Sequence, residues 1–131
     1  MPCPDAFFDA YVTTALWSST DESDESGGEP LDLNYDPSDI APATLGRMRA
    51  DCDRFYAANA AALTCEGVTY GPDFDQDGRA GHDFWLTRNG HGAGFWDGDW
   101  PEPQATVLTD AAHAFGPVDL YVGDDSRIHA M

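Results

Sequence analysis

Residues 42–63 read PATLGRMRADCDRFYAANAAAL, and no other stretch of this 131-residue chain constrains its fold so tightly. Leu45, Met48, Cys52 and Phe55, then Asn59 or Ala62, recur at steps of three and four. At 3.6 residues per turn, those positions share one face of a helix. Pro42 suits the first turn, where a missing N–H leaves no hydrogen bond unmade. An amphipathic helix is therefore predicted from about 42 to 63.

Two more helices are expected around it. In residues 5–17, DAFFDAYVTTALW, the positions Phe7, Tyr11 and Ala15 form a stripe flanked by Phe8, Val12 and Leu16, with Asp5 as the N-cap. Residues 103–115, PQATVLTDAAHAF, turn Val107 or Leu108, Ala111 and Phe115 inward before Gly116-Pro117 stops the helix. Residues 18–30, SSTDESDESGGEP, are acidic and aperiodic and read as a flexible loop. Asn89-Gly90 lies between the apolar runs Phe84–Leu86 and Ala93–Trp96, the pattern of a two-residue hairpin turn. In that register Phe84, Leu86, Ala93 and Phe95 face the core, while Trp85 and Trp96 share the opposite face. A second hairpin is expected over 118–130, with Gly123-Asp124-Asp125-Ser126 as its turn. The resulting expectation is one α+β domain spanning 1–131. It has two N-terminal helices, a β-hairpin, a helix and a second hairpin, with the hairpins forming a mainly antiparallel sheet.

Charge then limits function. Twenty-four acids against six bases leave a net charge of −18, and all six bases are arginine. Residues 1–44 hold ten acids and no base, 45–70 three of each, and 71–131 eleven acids against three bases. Such a surface repels nucleic-acid phosphates and anionic lipid alike, so neither is an expected direct partner. No window offers the roughly 20 apolar residues of a membrane span, and the first residues do not resemble a secretory signal. Cys3, Cys52 and Cys65 have no metal-type spacing and read as free thiols of a reducing cytosol.

Candidate site chemistry concentrates in Gly81–Asp97, GHDFWLTRNGHGAGFWD, the densest collection of aromatics, histidines and glycines in the chain. An enzyme would draw on His82, Asp83, His91, Asp97 and Asp99 as a metal or acid–base cluster. The expected hairpin, however, separates His82 from His91 by roughly 20 Å at about 3.4 Å per residue. None of the common hydrolase, P-loop or redox motifs is present. Asp73, Asp75 and Asp77, followed by Gly78, match the opening of a calcium loop, but its twelfth position is Phe84 rather than glutamate. They are the only weak metal candidates, and no cofactor is implied. The more favoured site is an interaction surface made of Asp97, Asp99, Glu102, Asp124 and Asp125, with Trp85 and Trp96 as aromatic contacts.

GHDFWLTRNGHGAGFWD, with Ala15–Asp21 before it, the Pro42–Cys52 helix, and Asp119–Asp125 after it, resembles stretches of small phage-encoded proteins. The resemblance implies a phage or prophage context and a location in the host-cell cytoplasm, and it carries no reaction. Together with the charge, it suggests a non-enzymatic accessory protein. Its acidic surface would imitate nucleic acid and inhibit a host defence or repair protein with a basic surface. A small metal-dependent enzyme and a phage structural or assembly protein are the alternatives.

Overall fold

The computed structural model describes residues 3–21, 29–68, 75–91, 94–96 and 99–130. Four helices dominate: α1 (Asp5–Ser18), α2 (Pro42–Leu63), α3 (Gln76–Arg88) and α4 (Gln104–Phe115). Among the described residues, a single parallel bridge joins Ile40 to Ile128, and the named strands form two antiparallel ribbons. One pairs β1 (Thr20–Asp21) with β2 (Glu29–Pro30), and the other pairs β3 (Leu120–Val122) with β4 (Ile128–Ala130). The expectation of an α+β fold built on a two-hairpin sheet is thus overturned: the protein is mainly helical. The middle of the acidic loop expected at 18–30 lies outside the described residues, while its ends pair as β1 and β2.

The difference lies in Gly81–Arg88, which is helix where a hairpin strand is expected. Asp75 caps α3, its Oδ1 accepting from Gly78 N–H at 2.7 Å. At the other end Asn89 is the C-cap, and Gly90 follows at φ +72°. His91 N–H donates to the Leu86 carbonyl at 3.0 Å and Gly90 N–H to that of Thr87 at 3.1 Å. These two bonds define a Schellman ending, which needs a left-handed residue as much as a hairpin turn does. Asn-Gly fits both. Periodicity could not arbitrate, because Asp83 through Arg88 are all buried and α3 has no solvent face there.

α3 is buried because α1 packs directly against it. Gly81 makes this approach possible: a Cβ there would collide with the carbonyl oxygen of Phe7. Around the crossing, the Phe55 and Phe84 rings stack at 4.0 Å with 11° between planes. Tyr11 meets Phe84 at 5.3 Å and the Trp85 ring edge-on at 5.3 Å. Phe84 and Phe95 are both buried as expected of core residues, but they reach the core from α3 and from the segment after it rather than as cross-strand partners. Gly94 folds that segment back so closely that a side chain would strike Thr87, whose Oγ1 accepts from Phe95 N–H at 3.1 Å.

Arg88 ties the helices together from inside. Its side chain is 3% exposed. It reaches Asp51 of α2 at 3.0 Å, the Tyr11 hydroxyl of α1 at 3.1 Å, and the carbonyls of Phe115 and Gly116 at the end of α4 at 3.1 and 2.8 Å. A buried guanidinium is tolerable only when its donors are satisfied in this way. Burial pushes the Tyr11 phenol pKa up, and nearby Cys52 adds to the effect.

Beside the bundle, the β3–β4 ribbon pairs Leu120 with Ala130, Tyr121 with His129 and Val122 with Ile128. The expected Gly123–Ser126 turn closes it, with Ser126 at φ 62°. Ala41 N–H donates to the Ile128 carbonyl at 2.9 Å and fastens the ribbon to the start of α2.

Candidate functional site

The residues expected to form one acidic contact surface are divided among several environments. Trp85 is not on the surface: it is 1% exposed, and its indole N–H donates to Ser18 Oγ at 2.8 Å. Asp97 lies outside the described residues. Asp99 is half-buried, with its carboxylate 3.8 Å from the Arg79 guanidinium.

Trp96 and Glu102 do come together. Trp96 is 53% exposed and lines a recess of about 280 Å³ with Trp100, Glu102, Ala105, Thr106, Thr109 and Asp110. Two contacts fix the inner wall. Trp100 packs edge-on against buried Phe95 at 5.3 Å, and its indole N–H donates to the fully buried Asp83 carboxylate at 2.7 Å. Glu102 is also held, its two carboxylate oxygens accepting from Thr106 N–H at 2.8 Å and from Thr106 Oγ1 at 2.6 Å. It thereby occupies a free N–H at the start of α4, where negative charge is favoured. Asp110 was missed in the sequence. The signal was the four-residue step from Glu102 through Thr106 to Asp110, one turn of helix apart each time.

Asp124 and Asp125 sit at the exposed ribbon turn, beside Tyr121, Val122, Gly123 and His129. His129 Nε2 lies 3.0 Å from Asp125 Oδ1, and Arg127 N–H donates to the same oxygen at 3.0 Å. The His129 contact, then the Arg127 bond, hold the Asp125 carboxyl below the usual carboxylate range. The His129 ring stacks on Tyr121 at 5.6 Å. A third cavity, of about 510 Å³, runs between Ser18–Thr20 and Pro117–Tyr121, with Trp85, Asn89 and His91 also lining it.

The residues of the enzyme reading separate in a different way. His82 Nδ1 is 2.8 Å from Asp83 Oδ1, and Arg79 links Asp83 at 3.9 Å to Asp99 at 3.8 Å. The His82 ring leans on exposed Trp17 at 6.0 Å. His91 is not part of this group; it lies past the end of α3, in the third cavity. Among the described residues no three His, Cys, Asp or Glu side chains gather as metal ligands. Of the calcium-loop triplet, Asp73 lies outside the described residues, Asp75 is a helix cap, and Asp77 sits in the first turn of α3. Burial, and secondarily Asp75, push the Asp77 pKa up.

Arginine use decides the sign of the surface. Arg49 is held by Asp5, Asp53 and the Cys3 carbonyl, Arg54 by Asp51, and Arg79 by Asp83 and Asp99. Arg88 is buried, and Arg47 donates to the Ala130 carbonyl at 3.0 Å. Five of the six arginines are therefore engaged by the chain itself. No described helix is long and apolar enough to cross a membrane. Comparison with protein-family models, with curated proteins and with solved structures finds no match to this chain.

Proposed function

We propose that this chain is a non-enzymatic phage accessory protein, acting in the host cytoplasm. On this reading its acidic surface occupies the nucleic-acid site of a host defence or repair protein. The observation that carries the reading is the commitment of five of six arginines to internal partners, against a net charge of −18. Exposed carboxylates at Glu102, Asp110, Asp119, Asp124 and Asp125 are then available to a basic partner with few cations to compensate them. A protein with this charge gains from a cationic cleft what DNA gains there: Coulomb attraction and release of bound counterions. The phage setting rests on the motif resemblance alone.

The immobilised chain should retain nucleic-acid-binding proteins from host lysate at low salt and release them to high salt or to duplex DNA. The retained protein, once purified, should lose DNA binding as this chain is added. Retention indifferent to salt and DNA, or a retained protein whose DNA binding is unaffected, overturns the reading.

A further inference from the structure

We propose that the recess beneath Trp96 receives a single arginine side chain of the partner. The inference rests on the basic-partner reading above and adds the place and the chemistry of one contact. Three observations converge there. An indole more than half exposed is unusual for so large an apolar ring, and here it borders a cavity rather than open solvent. Both ionisable side chains lining that cavity, Glu102 and Asp110, are acids. The hydroxyl of Thr109, in the same wall, is buried with no hydrogen-bond partner.

A guanidinium answers all three. Its flat face stacks on an indole, where the ring quadrupole attracts the cation. Its forked N–H groups match carboxylate oxygens, and a hydroxyl oxygen accepts a further N–H. An ammonium supplies the charge without the planar stack or the fork, so lysine is the weaker ligand. The site is also prepared in advance: Asp83 fixes Trp100, and Thr106 fixes Glu102, so little side-chain freedom remains to be lost on binding. The ribbon turn with Asp124 and Asp125 lacks this combination. Its aromatic ring, Tyr121, is already stacked on His129.

The test uses the whole chain and a capped Gly-Arg-Gly peptide, followed by NMR at the indole N–H of Trp96, identified by its loss in Trp96→Phe. Saturable shifts are expected at Trp96 and at the amides of Thr106 and Asp110. The lysine peptide should bind several-fold more weakly, and the citrulline peptide, isosteric but uncharged, should give no saturable shift. Asp110→Asn, on an exposed helix position, should weaken arginine binding about tenfold with the fold intact; Glu102→Gln should do the same if the Thr106 amide remains bonded. Equal binding of citrulline, shifts confined to other carboxylates, or full affinity in Asp110→Asn overturns the proposal. Failure here leaves DNA-competed retention of a host protein untouched, whereas peptide binding without any such protein removes the wider reading and keeps the recess.

Discussion

Arg88 shows how much a single side chain can hold. Its guanidinium, itself buried, satisfies acceptors from α1, α2 and the end of α4. Arg88→Met keeps much of the volume but strands those acceptors, and urea titration should record a loss of about 3 kcal/mol or more. Two aspartates respond to pH in opposite directions. Asp53 accepts from Cys3 N–H at 2.8 Å and from Arg49 at 3.3 Å, and these contacts, the backbone bond first, hold its pKa below the ordinary value. Its contribution is complete above the ordinary carboxylate pKa and fades as pH falls through the lowered one. Asp53→Asn should therefore lower the melting temperature at neutral pH and cost progressively less in acid. Asp77 has a raised pKa, so its ionised form opposes folding at neutral pH and the opposition lifts as it protonates. Asp77→Asn should raise the melting temperature at neutral pH, with the gain vanishing in acid; a constant gain would assign the effect to something other than charge.

At the scale of elements, backbone conformation and close approach dominate. Gly90 at φ +72° has nothing within 4 Å of an added Cβ, so Gly90→Val should cost about 1–2 kcal/mol through backbone strain alone. Ser126 at φ 62° is the converse case, a side-chain-bearing residue in left-handed conformation within the ribbon turn. Ser126→Gly should gain up to about 1 kcal/mol, measured by the same urea titration. Gly81 belongs to a different class: the obstacle is the Phe7 backbone, which no rotamer change can move. Gly81→Ala should cost about 3 kcal/mol or prevent folding, because α1 and α3 must separate. These elements were legible to different degrees. The α2 pattern led to 42–63, and the structure has Pro42–Leu63; α4 was expected at 103–115 and runs Gln104–Phe115. Both are helices with a wet face, so their period survives in the sequence. α3 has lost that period, and the residues of its Asp75 cap and Gly90 stop equally suit a metal loop and a hairpin turn.

For the whole molecule, charge is the governing quantity. With −18 distributed over 131 residues, self-repulsion opposes the compact state and salt should relieve it. The melting temperature should rise with sodium chloride over the range where the Debye length shortens from about 30 Å to about 8 Å; a flat or falling response would show that internal ion pairs such as Arg88–Asp51 outweigh the repulsion. The candidate site was legible in part for the same kind of reason. Glu102, Asp124 and Asp125 are exposed because a carboxylate stays in water unless buried donors hold it, as they hold Asp83. Trp85 and Trp96 illustrate the limit: equivalent on one face of an expected hairpin, one is 1% and the other 53% exposed. Local sequence thus determined the sign of the surface, the two helices with a wet face and the ribbon turn, since solvation and short-range backbone preference act within a few residues. Only the tertiary structure decided that Gly81–Arg88 is a helix, that Arg88 lies at its centre, and that Trp96, Glu102 and Asp110 share a recess. Those outcomes depend on α1 passing across Gly81, a contact between residues more than 70 positions apart in the chain.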